Sequence, residues 1–274
     1  MRRPLIRRER SIPNHLKRQT GVALIAMLLV FGLVVILVSG AITRTSLDIK
    51  KTGYHLQYSQ AYQYALGAEA LARALLHNDW QEDQKQKRAD HLKESWAQPF
   101  QFEPEGGLMR VQIRDLNGRF NLNTLIDQHG RAVDTSTKHF ERLLQNLDMP
   151  MQPTLSIIDW LDKDNQPRSS RGEDVFYQSS ENAYRSADRP MVHSSELVAL
   201  QAFDDADHVQ QLRDKITVLP EINTSINPNT ADRVLLASLH KDIQADDIVQ
   251  VRSELENAFT SNQAFLEHSV TAGI

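Results

Sequence analysis

No cysteine occurs in the 274 residues, which excludes a disulfide framework, zinc–thiolate sites, iron–sulfur ligation and thiol catalysis. Proline is absent between Pro13 and Pro99, so nothing in that stretch forces a helix to break. Acid is nearly missing from the first 21 residues, which hold one Asp or Glu against seven Lys and Arg. The whole chain is −4, so the part beyond residue 21 is strongly acidic. Such a region is a poor ligand for nucleic acid, because neutralising phosphates takes clustered positive charge. With 41% hydrophobic and 24% charged residues, the average is that of a folded chain, neither disordered nor polytopic.

Formal charge is also missing from Val22 to Ile42, which reads VALIAMLLVFGLVVILVSGAI. As a helix this spans roughly 30 Å, one hydrocarbon core. The basic residues lie before it, so the positive-inside rule places the N-terminus in the cytoplasm and exports everything after about residue 45. A secretory signal peptide has a shorter apolar region followed by a small-residue cleavage site and a turn; no turn comes here. Instead Tyr54, Tyr58, Ala61, Ala65, Ala68, Ala72 and Leu75 recur at spacings of four and three, one stripe of a helix. The pattern predicts a single helix from residue 22 to about 78, roughly 85 Å long, ending at His77-Asn78-Asp79. Its first half would sit in lipid and its second half would lay the alanine seam on a globular domain. An anchor followed by an unrelated surface helix is the other reading.

Before the apolar run stand Lys17-Arg18-Gln19-Thr20-Gly21, then Val22-Ala23-Leu24-Ile25. A basic leader, a glycine and an uninterrupted apolar helix resemble the signal cut by prepilin peptidase. The resemblance implies cleavage between Gly21 and Val22 and methylation of the new Val22 amine. Most pilins carry glutamate at the fifth mature position, whereas here Ala26 stands there. A carboxylate in lipid persists only when paired, and in pilin filaments its partner is the terminal amine of a neighbouring subunit. A subunit with no neighbour beyond it has no use for that acid.

Further along, Gln81 to Lys93 is strongly polar and reads as a solvated excursion with no site. Met109, Val111 and Ile113 alternate with Arg110, Gln112 and Arg114, the period of a half-buried strand. Asn117-Gly118 is a common hairpin turn, which predicts a returning strand through Phe120 and Leu122. After about Leu125 the texture is helical, over 140–147, 155–161, 195–203, 206–216, 230–239 and 246–259, with Thr230 and Asp246 as N-caps. No strand is expected after Leu266, so a pilin sheet would either close differently or continue outside this sequence.

Taken together, these features resemble the minor pseudopilin K family of bacterial type II secretion, general secretion pathway protein K. The matching stretches, in family order, are Gly21 to Ile25, Ala61 to Ala72, Gly118 to Leu125, Asp159 to Asp164, Gly172 to Asp174, Ser195 to Leu197 and Ser225 to Ala231. The family also lacks the fifth-position glutamate. The resemblance implies an α+β fold: a long transmembrane and amphipathic N-terminal helix on a small antiparallel, pilin-like β layer, with a large α-helical domain inserted or appended. It divides the chain into a leader (1–21), the transmembrane half of the helix (22–43), a pilin-like region (44–126), a helical domain with an acidic loop (127–224) and a helix-hairpin-helix-like or SAM-like subdomain (225–274). It implies a non-enzymatic subunit at the tip of a periplasmic pseudopilus. The implied partners are minor pseudopilins I and J, the major pseudopilin, prepilin peptidase and the inner-membrane assembly platform.

One segment carries chemistry of its own. Asp159, Asp162, Asp164, Glu173 and Asp174 surround a loop containing Pro167 and Gly172, and hard cations such as calcium take six to eight oxygen ligands from such loops. With Asp162 at position 1, Asp164, Gln166 and Glu173 fall at EF-hand positions 3, 5 and 12. Pro167 stands where that loop needs glycine, so the pattern is not an EF-hand. A calcium loop of another kind, which the family resemblance supports, and an Asx-turn cluster without metal both stay open. Zinc is disfavoured, since the nearest histidine, His193, is distant in sequence. Ser225 to Ala231 resembles the opening of a DNA-binding helix-hairpin-helix, but Asp246 and Asp247 would face phosphate, and a DNA role is set aside. No triad spacing, GxSxG, HExxH or phosphate loop occurs. A membrane-tethered, metal-dependent hydrolase using the acidic loop is the alternative from another functional class.

Overall fold

The computed structural model describes residues 20–179, 182–203, 206–255 and 259–271. The expected leader lies, up to residue 19, outside them. The chain divides into two units, Met1–Gly67 and Ala68–Ile274.

Helix α1 runs from Thr20 to Gln86, past the stop expected at residue 78. Nothing at His77-Asn78-Asp79 removes a hydrogen bond or forbids helical backbone. The helix ends where Lys87 turns left-handed, at φ 53°, the conformation that commonly terminates helices. In the first unit every side chain from Val22 to Lys51 is exposed, apart from half-covered Gly32. A bare apolar surface of that extent is unstable in water, and α1 is long and apolar enough to cross a membrane. The stripe expected to be covered is exposed at Tyr54 and Tyr58.

In the second unit the same stripe continues through half-buried Ala68, Ala72 and Leu75, then into Asp79 and Asp83. Strand β1 (Phe100–Phe102) pairs antiparallel with β2 (Met109–Val111), Phe100 opposite Val111 and Phe102 opposite Met109. The hairpin expected at Asn117-Gly118 does not form. Asp115 accepts from the Asn117 amide at 2.8 Å and caps a 3₁₀ turn over Leu116–Gly118, while the Asn117 carbonyl takes the Asn227 amide at 2.9 Å. Gly118 is needed for close packing: a Cβ there would lie 2.8 Å from Thr230 Oγ1. Beyond the turn, β3 (Phe120–Asn121) pairs parallel with β4 (Ile216–Thr217), far along the chain.

The remainder is helical around one apolar core that extends from Phe120 to Phe265. Helix α2 (Asp134–Asn146) buries Phe140, Leu143 and Leu144, the face its sequence period predicts. Helix α3 (Pro153–Leu161) opens on proline, whose missing amide is harmless there, and is buried on every side, including Asp159. Helix α4 covers Glu173–Gln178. The helix expected over 195–203 is a 3₁₀ segment, Ser194–Val198. That expected over 206–216 stops at Arg213 (α5, Ala206–Arg213), freeing Ile216 for β4.

Helices α6 (Arg233–Leu239) and α7 (Ala245–Glu254) complete the packing. Thr230 is not the cap of α6, because its hydroxyl donates to Asp115 at 2.6 Å; Asp232 caps instead, accepting from the Leu235 amide at 2.8 Å. Asp246 likewise sits inside the first turn of α7, where it binds Arg233 through contacts of 2.5 and 2.7 Å. Ser261 caps α8 (Asn262–Glu267).

Candidate functional site

The acidic loop closes on itself at the C-terminal end of α3. Asp159, Asp162 and Glu173 are fully buried, and one carboxylate oxygen from each lies within 4.8 Å of the other two. Three like charges at that separation repel, so each needs a partner. Asp159 has them: the Arg168 amide donates to both its oxygens at 3.0 Å, and the Ser169 amide donates to Oδ2 at 3.0 Å. Asp162 takes one, a very short contact from Arg168 Nη1 to Oδ2, which leaves Oδ1 buried and unbonded. Glu173 has none, both its oxygens being buried without a hydrogen bond.

Glu173 is held in this position by unusual backbone. Its φ is 64°, a left-handed conformation that costs a non-glycine residue about 1–2 kcal/mol. Gly172 before it leaves no room for a side chain, since a Cβ there would fall 1.8 Å from Asp159 Oδ2. Strain of this kind persists where the surroundings fix it and tends to mark functional positions. Burial, followed by the neighbouring carboxylates Asp162 and Asp159, pushes the Glu173 carboxyl up to about 7. Burial likewise pushes Asp162 up to about 6, against the pull of Arg168.

The other two residues of the acidic loop take different roles. Asp164 is exposed, accepts from the Gln166 amide at 2.8 Å and pairs with Arg168 Nη2 at 3.3 Å. Asp174 accepts from the Ser186 amide at 3.0 Å and from its hydroxyl at 3.1 Å, tying α4 to the following loop. Sequence spacing misses two participants, Arg168, the cation inside the loop, and Asp188, a further acid whose charge reaches Glu173; Gly172, already picked out as the loop's glycine, is the void against Asp159. Arg168 and Gly172 are visible in the motif as the basic and the side-chain-free residue; Asp188 has no local signal.

Three buried carboxylates share one guanidinium, and unbonded oxygens remain on both Asp162 and Glu173. This donor set is all oxygen and fits one hard divalent cation. Buried polar atoms without partners are expensive, and a cation is what would satisfy these.

Two His–Ser contacts lie elsewhere in the second unit. His193 Nδ1 accepts from the Ser195 amide at 3.1 Å, and Glu196 accepts from the Val192 and His193 amides, which is a cap on the 3₁₀ segment. His139 Nε2 lies 2.9 Å from Ser238 Oγ, but that hydroxyl donates to the Leu235 carbonyl at 2.6 Å and is not free to attack. Burial, then Arg142, pulls His139 down to about 4, so it is neutral at pH 7.

Comparison with known proteins decides the family. Residues 118–221 match the family model for type II secretion system (T2SS), protein K. The type II secretion system protein K of Pseudomonas aeruginosa is 38% identical over 267 residues, 93% of this chain and 78% of that protein. The chain belongs to the type II secretion system protein K family. The Klebsiella pneumoniae member is 34% identical, over 92% of this chain and 80% of its own length. A chain from the crystal structure of the GspK-GspI-GspJ complex of the enterotoxigenic Escherichia coli type 2 secretion system superposes with a TM-score of 0.69. It is 26% identical, covering 82% of this chain and 80% of that one. The chain is therefore a minor pseudopilin, a structural component of type II secretion, and its α+β architecture is that of the family. The matched residues 118–221 take in the whole carboxylate cluster.

Proposed function

We propose that this minor pseudopilin stands at the tip of a short periplasmic filament, anchored by α1 in the inner membrane with its N-terminus cytoplasmic. It works by assembly and not by catalysis. The observation that carries this reading is Ala26, the fifth position after the Gly21–Val22 junction, within an unbroken apolar stretch of α1. A subunit above it would find no carboxylate to pair with its terminal amine, so addition stops there. The helical region beyond residue 126 adds bulk against further stacking.

The partners are minor pseudopilins I and J, which the E. coli relative's complex with GspI and GspJ supports. Prepilin peptidase, the major pseudopilin and the assembly platform act on or with the mature helix. Asp159, Asp162 and Glu173, with Arg168 at their rim, hold one calcium ion. Bound there, the ion supplies positive charge that fastens the 164–173 loop to α3; Asp164 and Asp174 support the loop from outside.

Two measurements test the reading. The full chain co-expressed with pseudopilins I and J is expected to purify as a stable ternary complex, and recovery of neither partner overturns the tip assignment. Mass spectrometry of the mature chain is expected to show methylated Val22 at the start. An intact Met1, or a start near residue 40, is incompatible with a filament subunit.

A further inference from the structure

Within the mostly exposed polar stretch from Gln81 to Lys93, Asp83 and His91 are buried. The half-buried face of the helix runs Ala68, Ala72, Leu75 and then, at the same period, Asp79 and Asp83. Aspartate therefore occupies positions where the stripe demands apolar residues. Carboxylates near a helix C-terminus are also opposed by the backbone dipole. Across from them, Asp90 and Glu94 come from the segment that leads into the 3₁₀ turn Ser95–Ala97. One carboxylate oxygen from each of Asp79, Asp83, Asp90 and Glu94 lies within 4.8 Å of the other three.

Acids on a surface often gather without consequence, but two observations set this group apart. Asp83 is nine-tenths buried, at 9% exposure, and among the described residues its carboxylate has no hydrogen bond and no ion pair. His91, also 9% exposed, holds Nδ1 buried without a hydrogen-bond partner, 3.8 Å from Glu94 Oε2. Glu94 Oε2 is occupied by the His91 amide at 2.9 Å and Trp96 Nε1 at 2.7 Å, which fixes the carboxylate and leaves Oε1 unbonded. No Lys or Arg pairs with any of the four acids among the described residues. Burial, then the charges of neighbouring acids, raise Asp79 to about 6 and raise Asp83 and Asp90 as well, with Arg88 and His91 pulling against the shift at Asp83 and His91 at Asp90.

The geometry points to a second cation site, independent of the Asp159 cluster, in which Asp79 and Asp83 of α1 and Asp90 and Glu94 of the next segment bind one calcium ion. Four carboxylates suit a hard oxygen-seeking dication, and His91 lies outside the four-oxygen group. The segment that supplies Asp90 and Glu94 is already tied to the helical region: Asn227 Nδ2 donates to the Asp90 carbonyl at 3.1 Å, and Lys93 Nζ to the Ser253 carbonyl at 2.6 Å. The ion would clamp the end of α1 onto that tied segment. Without it, the end of α1 is held against four repelling charges.

The test is calcium stoichiometry of the full chain in detergent, by equilibrium dialysis with radioactive calcium at about 1 mM, the range of extracellular sites. Wild type is expected to bind two ions, D83N one, E173Q one and the double variant none. Should the Asp159 cluster bind nothing, wild type binds one ion, kept in E173Q and lost in D83N, so the two sites fail separately. In chelator, D83N is expected to melt above wild type, because it removes one repelling charge; this also shows that the variant folds. D79N, at a less buried position, is expected to repeat the loss of one ion. Equal binding by wild type, D79N and D83N overturns the proposal, as does a cluster that is merely protonated and leaves only the ion sensitive to E173Q.

Discussion

Gly172→Ala tests the packing logic of the carboxylate cluster most directly. Gly172 has φ −115° and ψ 167°, which any residue adopts, so the requirement for glycine is one of space alone. An added Cβ would lie 1.8 Å from Asp159 Oδ2, 2.6 Å from its Cγ and 2.7 Å from its Cβ. Asp159 cannot retreat, because Ile157, Ile158, Trp160 and Leu161 around it on α3 are buried too. The expected outcome is displacement of the carboxylate and loss of its bonds from the Arg168 and Ser169 amides. Hydrogen bonds to a charged group contribute about 1.5–3 kcal/mol each, so losing two destabilises by about 3–6 kcal/mol. In a unit of this size that lowers the melting temperature by about 6–24 °C. Near-ultraviolet circular dichroism reports it, since Trp160 packs edge-on to Tyr177 with ring centroids 5.3 Å apart. Gly67→Ala is the control: its Cβ meets nothing within 4 Å, and α1 should be stabilised or unchanged. A Gly172→Ala protein that melts within about 2 °C of wild type and binds calcium equally well would falsify the account of the cluster.

Three further outcomes are expected. Glu173 and Asp162 have folded-state pKa values raised to about 7 and about 6, so the folded chain holds protons that the unfolded chain releases. Without calcium, stability should therefore fall as pH rises from about 4.5 to above 7, on the order of 3 kcal/mol from Glu173, with Asp79 adding in the same direction; saturating calcium should abolish the slope. Melting curves in chelator that are flat, or that rise with pH, contradict this. Asn123→Ala removes a fully buried amide that donates to the Met191 and Leu219 carbonyls and accepts the Met191 amide at 2.8–3.0 Å; urea unfolding should show a loss of about 3–5 kcal/mol. Arg142→Met strips the last carbonyls of α6, at Ser238 and Leu239, of donors 2.7 Å away, and should cost about 1.5–3 kcal/mol by the same measurement.

How much of the fold and the site is legible in the sequence depends on how local each signal is. The membrane-length helix is written in twenty-one consecutive uncharged residues, and α2 in the spacing of Phe140, Leu143 and Leu144; both form, though α1 runs on to Gln86 and α2 already begins at Asp134. The cation loop is legible as composition, but spacing does not separate Asp162 and Glu173, which meet, from Asp164, which is exposed, and Asp174, which bonds Ser186 instead. That sorting depends on the left-handed turn at Glu173 and the void at Gly172. The expected hairpin fails because Asn117-Gly118 suits a 3₁₀ turn equally well once Asp115 caps it, and because the partner of β3 is 96 positions away. The solvated reading of Gln81 to Lys93 holds for most of that stretch and misses only buried Asp83 and His91 and half-buried Ala89, since polarity alone does not mark which residues face inward.

That distant pairing has a consequence for how the polypeptide matures. Phe120 and Asn121 pair with Ile216 and Thr217, so this cross-link closes a loop of nearly a hundred residues, a slow and entropically unfavourable event. At ribosomal speeds of about 5–20 residues per second, the first edge waits on the order of 5–20 seconds for its mate to emerge. Throughout that interval Phe120, Leu122 and Leu125 remain greasy and unshielded, which makes the nascent intermediate a natural client for holding chaperones.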